Sequence, residues 1–151
     1  MTTEHTKIVF PLDVDEDGFP PIGSESLNAR REGTRFILDN TPFFVPGVAL
    51  GDVVEAVPAP SGSGKYDFVR VVTPSTNKAL SIIFLEFGIK DAVCDELRAR
   101  GCFCEWGTFG RGGTLLMLAV SVPDSCSYPS IADFLDRYER DDRLSYAELA
   151  V

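Results

Sequence analysis

Histidine is almost missing from this chain of 151 residues: His5 is the only one. Ser-His-Asp and Cys-His catalysis need an imidazole held by packing, and proton transfer near neutral pH most often uses one. His5 lies in the polar stretch Met1–Lys7, where a frayed terminus is expected, so both mechanisms are set aside. Paired C-x-x-C spacings are missing too. The four cysteines stand at Cys94, Cys102, Cys104 and Cys126, which excludes the common zinc and dithiol motifs. Positive charge is scarce: the formal net charge is −9, and Arg30-Arg31 is the only dense basic pair. Nucleic acid and anionic lipid surfaces need a positive footprint, so neither is an expected partner. No apolar run reaches the length of a membrane-spanning helix, and Met1–Lys7 has no signal-peptide core. The expectation is a cytoplasmic protein with reduced, buried and inert thiols.

What is present is an ordinary globular composition, 44% hydrophobic and rich in phenylalanine. It is enough for one compact domain over residues 1–151, with sub-lobes at 6–73 and 78–151. Ile8-Val9-Phe10 reads as a first strand. Glu25–Arg31 and Arg35–Asp39 form a hairpin about Glu32-Gly33-Thr34. Phe43-Phe44-Val45 is a brief extended segment. Asp52–Val57 and Tyr66–Val72 are strands joined by the loop Pro58–Lys65. Further on, Ser81–Phe87 is apolar on both faces and reads as a central strand. Ile89–Arg100 is a helix capped by Gly101. Cys102–Phe109 and Thr114–Val122 are strands joined by Gly110-Arg111-Gly112-Gly113. A last helix opens at Pro129, and Ser145–Glu148 has the spacing of a capping box that starts one more helical turn. The fold expected is α+β: an N-terminal β-rich sheet or partial barrel packed on a ferredoxin-like β-α-β-β-α half.

The densest chemistry is the segment Asp13–Glu25. Asp13, Asp15, Asp17 and Gly18 match the first half of a calcium loop, but its twelfth position is Ser24, and Glu25 comes one residue late. Pro20-Pro21 stiffens the part that should wrap an ion, and the flanks read as strands. A rigid acidic turn, with Asp side chains bonding nearby amides, is therefore preferred to a metal site. Glu86 sits among Phe84, Leu85 and Phe87. Buried there, it would be a candidate acid-base group with a raised pKa; otherwise it pairs with Lys78 or Lys90. Asp39, Asp52 and Glu55 also lie in or beside strands. Gly62-Ser-Gly64-Lys65 and Phe109–Gly113 both lack phosphate-loop context, so no cofactor is expected.

The phrases Val9-Phe-Pro-Leu12, Asp15-Glu-Asp-Gly18, Gly23-Ser-Glu-Ser-Leu27, Leu38–Val45 and Gly47–Val54 together resemble a bacterial family of unknown function, DUF4265. The likeness is strongest over residues 8–55, although Asn28 stands where the family often has an aromatic. The resemblance implies a small protein without established catalysis. It also implies that the acidic loop and the Gly51-Asp52 turn belong to the family architecture. Three functions are compatible with these residues. One is a non-enzymatic protein-binding module, immunity- or antitoxin-like, with a basic protein partner. Another is a ligand-sensing domain with an apolar pocket between the halves, lined by Phe43, Phe44, Trp106 and Glu86. The third is an enzyme using Glu86 or Asp52.

Overall fold

The computed structural model describes residues 4–60 and 62–151. The first half is a meander of five strands: β1 (Glu4–Pro11), β2 (Ser24–Glu32), β3 (Arg35–Leu38), β4 (Val53–Pro58) and β5 (Tyr66–Thr73). Each runs antiparallel to the one before. An odd number of such strands leaves the first and last pointing the same way. The barrel therefore closes by a short parallel pairing, Ile8 opposite Tyr66 and Val9 opposite Asp67. Closure removes the exposed edges that would invite pairing with other chains. Alternation fills the interior, because Ile8 and Phe10, Leu27 and Ala29, and Phe36 and Leu38 all point inward.

The second half consists of β6 (Lys78–Phe84), α1 (Lys90–Ala99), β7 (Phe103–Phe109), β8 (Leu115–Val122), α2 (Tyr128–Arg140) and β9 (Leu144–Ala150). The sheet order is β7-β8-β6-β9, antiparallel throughout. This is the ferredoxin-like arrangement with its last strand complete. Val93, Cys94 and Leu97 of α1 and Ile131 and Leu135 of α2 cover one face of the sheet, packing on Leu80, Ile82, Leu118 and Val120.

Four local expectations change. Ser145–Glu148 is not a helical turn; it lies in β9. Asp142, with φ of 54°, reverses the chain directly after α2, and Leu144 and Tyr146 then point to the helices with period two. The capping-box spacing has no apolar helical run to serve. β6 begins and ends three residues earlier than expected, so Glu86 falls outside it, just before a 3-10 turn at Phe87–Ile89. Phe43–Val45, expected as a brief extended segment, belongs to no strand and lies within an irregular loop. His5 is not frayed: it pairs with Arg30 in β1, with an exposed side chain.

The sheet face away from the helices carries small residues, among them Ala79, Ser81, Ala119 and Ser121, all nearly inaccessible. The hydroxyls of Ser81 and Ser121 have no hydrogen-bond partner among the described residues. A buried hydroxyl left unpaired costs free energy. Ser121→Ala is accordingly expected to raise stability by about 1 kcal/mol, read as a higher urea midpoint with an unchanged slope; a lower midpoint would contradict it.

Candidate functional site

Two loops build a concave apolar surface. The first, residues 12–23, joins β1 to β2. Its neck is closed by the Leu12 N–H donating to the Gly23 carbonyl at 2.9 Å. Asp15 organises the tip: its Oδ1 accepts from the N–H groups of Asp17 and Phe19, both at 2.9 Å. Gly18, at φ of 80°, supplies the left-handed turn residue this requires. The acidic segment is thus a turn stabilised by its own aspartate, as its sequence suggests. It presents Phe19 edge-on to Phe44, with centroids 5.8 Å apart.

The second loop, residues 39–52, joins β3 to β4 and lies across the helix-free face of the sheet. Glu25 holds it. Alternation along β2 puts Glu25 on the same inward face as Leu27 and Ala29, and the residue is 6% exposed. It accepts three backbone N–H groups, from Phe43 at 2.6 Å, Phe44 at 3.1 Å and Val45 at 3.0 Å. The two phenylalanines pack edge-on against Phe109, at 5.1 and 4.8 Å. Phe43 also fills the space over Gly107, where an added Cβ would come within 2.8 Å of its ring.

Between the loops runs a groove of 540 Å³ lined by Phe10, Leu12, Phe19, Pro20, Phe44, Val45, Pro46 and Phe68, with Asp13 and Asp15 on its lip. A smaller cavity of 210 Å³ lies on the sheet face and shares Phe19, Pro20 and Phe44 with the groove. None of the ion pairs among the described residues involves Asp13, Asp15, Glu16 or Asp17. The lip therefore carries unneutralised negative charge beside an apolar floor. A larger hollow of 660 Å³ lies along the outer side of α2. It is lined by Asp133, Asp136, Arg137, Glu139 and Arg140, charges of both signs on a single helix with no second element to clasp a ligand.

The residues singled out by sequence do not all meet. Phe43 and Phe44 lie at the junction of the halves, against the helix-free sheet face. Trp106 does not join them: it points to the helix side of the sheet, 5.7 Å from Phe84, with the Lys90 ammonium over its ring. Glu86 is neither buried nor paired with Lys78 or Lys90. It forms an outward ion pair with Arg143 at 2.7 Å, and hydrogen bonding to that guanidinium holds its carboxyl below the usual range. Asp52 is buried, and its two oxygens accept from the Ala49 and Ser75 N–H groups. It lines a polar cleft of 380 Å³ that also includes Asp124. Asp13, Asp15 and Asp17 do not converge as ligands, and no metal-binding group of three or more His, Cys, Asp or Glu exists among the described residues. Sequence reasoning missed Glu25, although the Glu25-Leu27-Ala29 alternation already placed it on a core-facing line.

The cysteines gather in two thiol pairs, Cys102 with Cys126 and Cys104 with Cys94. Burial pushes both Cys102 and Cys104 up to about 12. Since the thiolate is the reactive form, iodoacetamide at pH 8 is expected to leave these two unmodified in the native chain and to label them after denaturation. Rapid native labelling of either, seen by peptide mapping, would show that they are not shielded.

The fold is a two-part α+β architecture, a closed barrel whose loops lean on a ferredoxin-like sheet. The chain belongs to the family described as domain of unknown function DUF4265, which it matches over residues 25–146. That match covers most of the chain and begins at Glu25, so it extends well beyond residues 8–55 and leaves out the acidic loop. A crystal structure of a hypothetical protein from Neisseria gonorrhoeae has the same fold, with a TM-score of 0.73 at 21% identity over 99% of this chain and 96% of that one. No protein of curated function matches the chain. Among the described residues, no helix is long and apolar enough to cross a membrane.

Proposed function

We propose that this is a bacterial, cytosolic, non-enzymatic binding module that captures a basic protein segment in the groove beneath the acidic loop, in the manner of an immunity or antitoxin-like inhibitor. The observation that carries the reading is the pairing of an apolar floor with a lip of carboxylates that have no ion-pair partner. At 540 Å³ the groove is within the roughly 300–1,000 Å³ range of specific ligand sites. Apolar side chains of a partner would anchor there, while Asp13, Asp15, Glu16 and Asp17 steer and register its cations. The enzymatic alternative lacks comparable support. Both oxygens of Asp52 are occupied by backbone amides, and Glu86 is turned away toward Arg143.

A random dodecapeptide display library, selected on the native chain, tests the proposal. The expected result is enrichment of sequences that place Lys or Arg beside Phe, Leu, Ile, Tyr or Trp. The chosen peptides should bind roughly tenfold more weakly to the triple variant Asp13→Asn, Glu16→Gln, Asp17→Asn, and more weakly with rising salt. Asp15 is left intact because it holds the turn. No enrichment, or peptides indifferent to both the variant and salt, would sink the proposal.

A further inference from the structure

The groove beneath the acidic loop is poor in hydrogen-bond donors. Its lining side chains are those of Phe, Leu, Val, Pro and Asp, and none of these carries a donor while the acids are ionised. Pro11, Pro20 and Pro46 have no backbone N–H either. Other lining residues spend theirs inside the fold. The Leu12 N–H goes to the Gly23 carbonyl, that of Asp15 to the Phe19 carbonyl, and that of Phe19 to Asp15 Oδ1. Glu25 takes those of Phe44 and Val45. Phe10 and Phe68 lie in paired strands of the barrel. Acceptors are present, as the carboxylates of Asp13 and Asp15 on the lip.

That chemistry selects the backbone form of an occupant. An added strand needs a free edge with alternating donors and acceptors, and the barrel is closed. A polyproline segment has no internal hydrogen bonds, so carbonyls laid on this floor would lose water and gain no donor. An α-helix pairs its own backbone groups along its length and meets a groove through side chains alone. Its surface also divides as the groove does, into an apolar stripe for Phe19, Phe44 and Phe68 and a cationic flank for Asp13 and Asp15. We infer that the occupant is a basic amphipathic α-helix of the partner protein, with apolar residues at i, i+3 or i+4, and i+7 on the floor and Lys or Arg facing the lip. This inference rests on the groove reading above and names the form of the segment that the groove takes.

The test uses peptides from the display selection, whose twelve residues span about three helical turns. Their apolar positions should recur at helical spacing, and the circular dichroism of each complex should show more helix than the sum of peptide and native chain apart. Two analogues of each peptide then separate helix from contact. Both change one central residue on the side away from the apolar stripe, one to alanine and the other to proline. By calorimetry on the native chain the alanine analogue should bind as its parent does, and the proline analogue roughly a hundredfold more weakly. Apolar residues alternating at i and i+2, a proline-rich motif, or a proline analogue that binds as well as the alanine one overturns this inference and leaves the groove reading standing. Failure to enrich any basic-apolar motif overturns both.

Discussion

Glu25→Ala is expected to lower the unfolding free energy by about 4 kcal/mol and to abolish peptide binding while leaving the acidic lip untouched. Glu25 is 6% exposed, and its carboxylate holds three backbone N–H groups of residues 43–45. Hydrogen bonds to a charged group contribute roughly 1.5–3 kcal/mol each, and a buried donor left without an acceptor carries its own desolvation penalty. The three share one carboxylate, and a freed loop can recruit water, so the total is less than the sum. Glu25→Gln separates shape from charge. Its carbonyl can replace Oε1 and keep Phe44 and Val45, but its amide group then faces the Phe43 N–H, donor against donor. A loss of about 2 kcal/mol is expected for it. Urea unfolding followed by Trp106 fluorescence measures both, as a shift of midpoint at constant slope. A change of less than 1 kcal/mol in Glu25→Ala would mean that the loop is held by its phenylalanines alone.

Glu25 also shows where the sequence was legible and where it stopped. Period two in β2 and β3, and the glycine-rich turn between β7 and β8, expose those hairpins directly, because the signal is local. The same periodicity shows that Glu25 faces inward. It does not show what an inward carboxylate meets, since its partners come from a loop eighteen to twenty residues away. Trp106 failed for a related reason. Cys102 and Cys104 pack on the helix side, and parity along β7 sends Trp106 the same way, while Gly107 and Phe109 meet the incoming Phe43. Parity was readable; which face the loop would choose was not. β9 was missed because a capping-box spacing is a local preference, and pairing with β6 overrides it. Glu86 was misplaced because β6 ends at Phe84, leaving Leu85 and Phe87 exposed despite their apolar character. The local geometry of the acidic turn is legible because its determinants, Asp15 and Gly18, lie within the turn itself.

Asp52→Ala is expected to loosen the barrel from the sheet. The two halves have separate hydrophobic clusters, so their coupling depends on the segments that cross between them. Asp52 lies at one crossing. Its carboxylate takes the Ala49 N–H at 3.0 Å and the Ser75 N–H at 2.7 Å, tying the loop before β4 to the connection between β5 and β6. The Leu50 carbonyl next to it accepts from Ser75 Oγ at 2.7 Å and Asn77 Nδ2 at 2.8 Å. Gly51, at φ of 87°, brings the two backbones together: an added Cβ would lie 3.3 Å from Ser75 Cβ. Losing two charge-assisted bonds at a buried site costs about 3 kcal/mol. Because the damage is at the junction, the cost should not fall equally on both halves. The sheet keeps its helices and most of its burial, whereas the barrel, which has no helical layer, loses one of its ties to the sheet. Native-state hydrogen exchange can read this directly. In the unaltered chain, amides of Leu27 and Ala29 in β2 should exchange with the same free energy as those of Leu118 and Val120 in β8. In Asp52→Ala the β2 amides should exchange roughly a hundredfold faster, with a smaller change in β8. Equal acceleration in both strands would mean that the halves remain one cooperative unit through the Phe43–Phe109 contacts, and that Asp52 is not the link between them.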